Sequence, residues 1–261
     1  MKIIAIMGNI RENSQTKKII QMFQVELERY KQIDFKYIEL RKMNLQLCRG
    51  CALCLERGEE LCPLKDDYNI ILDKIKHADG IILATPNYAL QVTHLLKNYL
   101  DRSAYIMHRP IFFGKVFTSI VAQGAYGGES INKYLDSVSS MIGGVVIKGI
   151  TITVPEGSAY NNRNVWSDLE TNRVENSIKR LARKFIKQLY GNRYPKPTLF
   201  KLLIFRFARG SHKYSKCDNR DNKYFKERGW FHSEYYYDTK INIFKWAFGM
   251  LIDIYQKQKN K

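Results

Sequence analysis

With 261 residues, 45% of them hydrophobic, the chain is long enough for one full domain and an appendage, and too short for two large independent domains. Its formal charge of +18 is uneven: residues 191–261 carry sixteen Lys and Arg against six Asp and Glu, and sixteen aromatic residues, which excludes a low-complexity tail. The most apolar stretches there, 199–208 and 241–255, are broken by Lys201, Arg206, Lys245 and Asp253 and fall short of the roughly 20 residues of a membrane span, and no signal peptide is visible at 1–7, so a cytoplasmic location is expected.

In chain order, residues 2–7, 33–40, 80–85, 115–122 and 145–154 read as strands. Three of these are Ile- and Val-rich runs with little alternation, as expected of strands buried on both faces. Between and after them, residues 14–30, 67–77, 91–105, 129–142 and 167–190 repeat apolar side chains at spacings of three and four and read as helices. Strand followed by helix, five times over, predicts an α/β fold. A doubly wound five-stranded parallel sheet in the flavodoxin-like order 2-1-3-4-5 suits it, over a domain spanning 1–190. Residues 191–261 are then a basic, aromatic C-terminal extension that packs on this domain or on a partner subunit. In such a sheet ligands bind at the carboxyl ends of strands 1, 3 and 4.

The loops at those three ends carry the candidate cofactor residues. After strand 1, Gly8-Asn9-Ile10-Arg11-Glu12-Asn13-Ser14-Gln15-Thr16 opens into a helix, where N–H groups and hydroxyls can hold a phosphate dianion. It lacks the Gly-Lys-Ser/Thr ending of a P-loop and the three glycines of a dinucleotide fingerprint, so a monophosphate such as that of FMN fits better; the alternative is that Ser14 only caps the helix. After strand 3, Pro86 stiffens Thr85-Pro86-Asn87-Tyr88-Ala89, and Tyr88 offers a flat face to a ring system or is a plain exposed aromatic. After strand 4, Gln123-Gly124-Ala125-Tyr126-Gly127-Gly128 is either a flexible turn or a place where backbone N–H groups approach a flavin edge. The candidate cofactor set is Asn9, Arg11, Ser14, Gln15, Thr16, Pro86, Asn87, Tyr88, Ala89, Gly124, Ala125 and Gly127.

The GNIRENSQT loop, the TPNY stretch with its downstream KNYLDR, and the AQGAYGGE loop resemble, in order and spacing over residues 1 to about 150, the NADPH-dependent FMN reductases of the flavodoxin superfamily. The resemblance implies an FMN phosphate held by Arg11, Ser14, Gln15 and Thr16, an isoalloxazine ring held by Pro86, Asn87, Tyr88, Gly124 and Gly127, NAD(P)H as co-substrate, and a homo-oligomer that completes the flavin pocket. The family commonly has Ser then Pro where this chain has Asn9 and Ile10, an amide in place of a phosphate-binding hydroxyl.

Between strand 2 and the next helix, Cys48, Cys51 and Cys54 follow one another at two-residue gaps, and Cys62 precedes Pro63. That is an iron-sulfur spacing more than a zinc one, so the four are candidate ligands of a 4Fe-4S cluster that could feed electrons to the flavin; zinc, or no metal, are the alternatives. The motif looks like that of the iron-sulfur flavoproteins, a branch of the same superfamily. The five histidines form no metal-like pair, Cys217 is isolated, and no general acid or base is singled out, because a flavin ring itself accepts hydride.

The expected function is an FMN-dependent NAD(P)H oxidoreductase of the flavin or quinone reductase type. The alternatives are an iron-sulfur flavoprotein that carries electrons with ferredoxin-like partners and turns over no small molecule, and a scaffold that has lost its cofactor. Nucleic acid is not expected as a partner, since no recognition motif accompanies the charge. The extension could meet an anionic membrane or an acidic protein, but the preferred reading leaves its lysines solvated and its apolar faces packed.

Overall fold

A strand that is apolar on both sides is stable only where helices cover both faces of its sheet. In the computed structural model, which describes residues 1–155, 166–215 and 217–259, the strands are β1 (Lys2–Met7), β2 (Asp34–Glu39), β3 (Gly80–Pro86), β4 (Val116–Gln123), β5 (Val145–Val146) and β6 (Ile150–Thr153). All pairings are parallel, in the order β2-β1-β3-β4-β5, with β6 also on β4, so the fold is the flavodoxin-like sheet expected.

The chain divides into two compact units. The first comprises Met1–Cys48, Lys65–Ala104 and Ile111–Arg193. Its helices are α1 (Gln15–Glu28), α3 (Tyr68–Lys76), α4 (His94–Arg102), α6 (Gly128–Met141) and α7 (Asp168–Leu189); α2 (Leu53–Glu56) and α5 (Tyr105–His108) are short and belong to the second. Alternation along each strand divides the core: Ile3, Ala5, Met7, Ile82, Ala84 and Ile120 join α1 and α7 through Ile20, Phe23, Ile178 and Phe185. The intervening Ile4, Ile6, Ile81, Leu83, Phe117 and Val121 are equally buried on the opposite face, where Ser119 bonds Asn132 of α6. Each such aliphatic or aromatic side chain, fully buried, contributes about 1.5–3 kcal/mol. Gly80 sits where an added Cβ would lie 2.8 Å from the Phe185 ring, so its lack of a side chain admits α7 to the sheet.

Two expected elements are corrected. Residues 145–154 form not one strand but β5 and β6, because the chain runs so close to β4 between them that a Cβ on Gly149 would lie 2.0 Å from Ser119 Oγ, and the Gly149 N–H bonds Asp136 at 3.2 Å, outside the ladder. Residues 91–105 form a helix from His94 to Arg102, and Tyr105 begins the separate short helix α5. Thr93 caps the former through the Leu96 N–H, and Tyr88 and Gln91 are already paired in a tight turn. Helix α7 begins as expected, with a capping box between Ser167 and Glu170.

The second unit comprises Arg49–Leu64, Tyr105–Pro110 and Tyr194–Lys261. Besides α2 and α5 it contains α8 (Leu199–Tyr214), α9 (Arg220–Glu227) and α10 (Ile243–Lys259). Phe205, Phe225, Trp230 and Tyr235 form its aromatic centre, with Phe205 and Tyr236 rings 4.6 Å apart and the Trp230 N–H on the Tyr236 carbonyl at 3.2 Å. Among these buried rings lie buried charges. Arg109, 1% exposed, bonds Asp221 of α9, the Glu59 carboxylate at 2.7 Å and the Cys54 carbonyl at 2.7 Å, while Asp221 also meets His108 at 2.9 Å.

Candidate functional site

The parallel strands end together, so the loops after β1, β3 and β4 emerge on one edge of the first unit, and hydrogen bonds tie them in series. The Gly8 N–H donates to Ala84 O at 2.7 Å, and the Thr93 hydroxyl donates to Gly8 O at 2.6 Å, joining the first loop to the second. A Cβ on Gly8 would lie 3.0 Å from Leu96 Cβ and 3.1 Å from Thr93 Oγ1, so a glycine keeps this approach open. Asn87 joins the second loop to the third: its N–H donates to Ala122 O at 2.7 Å and its side-chain amide to Tyr126 O at 2.8 Å.

In the first loop Ser14 is the helix cap that the simpler reading expects, accepting the Lys17 N–H at 3.1 Å. Accepting leaves its hydroxyl proton available for donation. Thr16 lies in the first turn of α1, buried, and its hydroxyl has no partner among the described residues. Asn9 is also buried; its amide nitrogen bonds Arg11 O at 2.7 Å, while its Oδ1 is unpartnered. Arg11 is exposed and Gln15 half-buried. Behind this loop Glu39, at the end of β2, gathers Lys17, Arg41 and Lys42. Burial would raise the Glu39 carboxyl, but hydrogen bonds from Lys42 and Arg41 and the charge of Lys17 hold it below the usual range.

The second loop is strained. Ala89 and Leu90 both have left-handed backbones, φ 50° and 61°, and the Tyr88 and Gln91 N–H and C=O groups pair at 3.0 Å across them. Neither is glycine, and each costs about 1–2 kcal/mol in that conformation. Tyr88 and Leu90 are exposed, and so is Tyr126 across from them in the third loop. Gly124 and Ala125 are exposed; Gly127, at φ 93°, accommodates Leu90, whose Cδ2 would lie 2.6 Å from a Cβ there. Asn87 Oδ1 is buried and unpartnered. Buried polar atoms of this edge, on Asn9, Thr16 and Asn87, thus lack a partner among the described residues, at a cost of about 1–3 kcal/mol each unless something polar meets them.

Residues that sequence reasoning passed over organise these loops. Gln123 is buried at the end of β4, accepting the Gly128 N–H at 2.7 Å and donating to Ala125 O and Thr153 Oγ1 at 3.0 Å. Thr85 and Thr93 knit the second loop to α4, the Thr93 N–H donating to Thr85 Oγ1 at 3.3 Å. A polar residue closing an apolar strand and a Thr before a helical run were the available signals.

The KNYLDR stretch has a separate task. Asn98 accepts the Cys48 N–H at 3.0 Å and donates to Gln46 O at 3.1 Å, and Arg102 bonds Gln46 O at 3.0 Å and Asp66 at 2.6 Å. It clamps the chain that leaves β2 toward the cysteines. Burial would raise Asp66, but the Arg102 hydrogen bond, with the Gln46 and Tyr68 N–H groups, holds its carboxyl low.

The four clustered cysteines form no disulfide among the described residues. Cys48 closes the first segment of the first unit, whereas Cys51, Cys54 and Cys62 belong to the second. Among the described residues no three Cys, His, Asp or Glu side chains form a group able to hold a metal ion. The local cause is the backbone: Ala52 at φ 59° starts α2, the Cys54 carbonyl is held by Arg109, and Gly58 at φ 137° turns the chain before Cys62. No described helix is long and apolar enough to cross a membrane.

A sequence model of the NADPH-dependent FMN reductase family matches residues 1–159. An iron-sulfur flavoprotein of Archaeoglobus fulgidus is 33% identical over 53% of this chain, and the match spans 62% of that protein's own length. An iron-sulfur flavoprotein of Clostridioides difficile is 26% identical over 78% of this chain and 86% of its own. Among solved structures, RosB with a bound 8-demethyl-8-formylriboflavin-5'-phosphate superposes with a TM-score of 0.57 at 15% identity, covering 93% of this chain and 92% of that one, a likeness of fold.

Proposed function

Because the chain belongs to the NADPH-dependent FMN reductase family, we propose that it is an FMN-dependent NAD(P)H oxidoreductase whose flavin lies across the loops after β1, β3 and β4. The observation that carries this reading is the set of buried, unpartnered polar atoms on Asn9, Thr16 and Asn87 along one loop edge. FMN has complementary groups for them. The Thr16 hydroxyl, with Ser14, Gln15, Arg11 and the first-turn N–H groups of α1, would hold the phosphate. Asn9, where this chain departs from the family, keeps a buried amide where a hydroxyl is usual, and its Oδ1 would suit a ribityl hydroxyl. Asn87 Oδ1 would accept from a ring N–H, with Pro86 and Ala89 stiffening the loop that presents Tyr88 to the ring. Gly124, Ala125 and Gly127, fixed by Gln123, would bring backbone N–H groups to the edge where negative charge develops. When bound, FMN supplies a ring that takes hydride from reduced nicotinamide and passes electrons to an acceptor. The protein's part is to bind, orient and shield it. The exposed Tyr88, Leu90 and Tyr126 leave an apolar rim suited to closure by a second copy, the homo-oligomer proposed here.

Titrating the protein with FMN and then following NADH and NADPH oxidation with added FMN or quinone tests this reading. A stoichiometric yellow complex and turnover with at least one nucleotide are expected; a protein that takes up no FMN would overturn it.

The run Cys48, Cys51, Cys54 and Cys62 favours a second reading, an iron-sulfur flavoprotein that exchanges electrons with a ferredoxin-like carrier. Four thiolates at these spacings would supply the iron ligands of such a cluster. Iron and sulfide assays with the absorption spectrum of anaerobically purified protein separate the readings. About four irons per chain with a broad charge-transfer background would support a cluster, and flavin bands alone would remove it.

A further inference from the structure

A helix on the surface of a globular unit normally turns its apolar stripe inward. Helix α10 is built the other way. Its shielded positions are Lys245, Gly249, Ile252, Asp253 and Gln256, Ile252 being the one large apolar side chain among them, and the helix packs against α8. Asp253 bonds Arg206 and, at 2.5 Å, Arg209; Gly249 makes room for the Arg206 guanidinium, which a Cβ would meet at 3.1 Å; and Gly210 of α8 makes room for Gln256. The outward face carries Phe244, Phe248, Leu251 and Tyr255 at helical spacing, with Trp246 and Ile254 beside them, all exposed, Phe244 by 76%. Only two charged residues occur between Ile243 and Tyr255. Asp253 is committed to the α8 arginines, and Lys245 donates to Pro197 O at 2.7 Å. The apolar face is therefore uninterrupted. Exposed lysines bracket it, Lys240 before and Lys257 and Lys259 after.

Such a face is an interaction surface, since a contiguous exposed patch of large apolar groups is rare without a partner. Charge identifies the partner. Residues 191–261 carry a net +10, so a second copy would bring like charge to the contact, whereas an anionic lipid surface brings opposite charge above an apolar layer. The side-chain types agree. Trp and Tyr suit the headgroup boundary, Phe, Leu and Ile the acyl chains, and terminal lysines the lipid phosphates. We infer that α10 docks the protein on anionic membranes, lying in the interface with its outward stripe among the acyl chains and Lys240, Lys257 and Lys259 at the headgroups. The inference goes beyond the oxidoreductase reading and does not depend on it.

Co-sedimentation of the full chain with vesicles of phosphatidylcholine alone, and of phosphatidylcholine with phosphatidylglycerol, tests it at low salt. Binding to the anionic vesicles is expected, weakened by high salt and much poorer to the neutral ones. F248E/L251E replaces two exposed side chains and should lower anionic-vesicle affinity at least about tenfold, and K257E/K259E by a smaller factor. Both should leave the melting temperature and far-UV circular dichroism unchanged. Failure of the wild type to bind anionic vesicles overturns the inference, as does equal binding to neutral ones or wild-type binding by a normally folded F248E/L251E. A wild-type dimer that F248E/L251E converts to monomer would overturn it too, by making a second copy the occupant.

Discussion

The two units of this chain solve the same problem with opposite materials. The first rests on aliphatic strands such as Ile3, Ile82 and Ile120 packed under Phe23 and Phe185, and its buried ion pair, Arg102 with Asp66, lies outside that apolar cluster. The second buries Arg109, Arg206, Arg209 and Asp221 among aromatic rings, while α10 shows its aromatics to the outside. Burial of apolar area is non-directional and tolerates local error. A buried ion network is directional, and it fails when one member is lost. The comparison teaches that the sheet unit is a scaffold free to specialise its loops, whereas the helical unit depends on a few charged side chains.

Breaking that dependence should give the largest effect. Arg109→Ala leaves Asp221 without its buried guanidinium and frees both Glu59 and the Cys54 carbonyl. A loss of about 3–5 kcal/mol is expected for breaking such a pair, confined to the second unit. Hydrogen exchange should show residues 49–64 and α9 opening while the sheet of the first unit stays protected. Uniform loosening of both units would contradict the division drawn here.

The same contrast explains what was legible in the sequence. In the first unit burial follows hydrophobicity, so strands such as Lys2–Met7 and Val116–Gln123, their order, and the three loops at one edge could all be read from pattern. The exceptions were governed by single contacts. The break at Gly149 depends on how closely the chain passes Ser119, and the late start of α4 on a turn held by Ala89 and Leu90 at positive φ, neither of which residue type announces. In the second unit hydrophobicity points the wrong way: Arg206 is more buried than Phe207, and Asp253 faces in where Phe248 faces out. The sequence marks 241–255, within which α10 lies, as an apolar stretch, but the orientation of the helix is set by arginines on α8. The cysteines were found by spacing, yet spacing alone cannot say how Arg109 and Ala52 shape the segment that carries them.

Within the first unit, Thr16→Val sharpens the distinction between scaffold and site. It removes a buried hydroxyl with no partner among the described residues, so the stability of the FMN-free protein should hold or rise slightly. A hydrogen bond to a charged group contributes about 1.5–3 kcal/mol, so FMN affinity should fall by roughly one to two orders of magnitude. Fluorescence titration with FMN and a thermal melt read the two halves separately. Loss of stability with unchanged affinity would make Thr16 a core residue and not a ligand.

Mild acid, between pH 7 and 5, should act more gently, and on the units in opposite senses. In the second unit burial lowers the His212 imidazole, so the unfolded chain binds more protons; stability is complete above the ordinary histidine value near 6.5 and is lost as pH falls below it. Burial would raise Asp221, but the His108 hydrogen bond and Arg109 charge hold it low, so its contribution persists until pH falls below about 4. In the first unit burial raises Asp136, which reverses the sign: stability increases as pH falls through the raised value. Between pH 7 and 5 the second unit should therefore lose protection first, measurable by limited proteolysis of residues 194–259 against the sheet. His212→Gln should remove the first step.

The smallest effect expected is the most specific to the site. Leu90 holds φ 61° without being glycine, next to Ala89 at φ 50°, with Tyr88 and Gln91 paired across them. Relief of a left-handed conformation is worth about 1–2 kcal/mol, against roughly 0.5–1 kcal/mol for the extra freedom of glycine in the unfolded chain, so Leu90→Gly should raise first-unit stability by about 1 kcal/mol or less. The same change removes the side chain that lies over Gly127 and loosens the turn presenting Tyr88. Flavin affinity or nicotinamide turnover should then fall while the melting temperature rises. A variant that gains stability and keeps both would mean that the strain in this loop serves the fold. Opposite signs would mean that it is maintained for the ligand, as expected where a rigid apolar scaffold holds its loops in a conformation they would not choose alone.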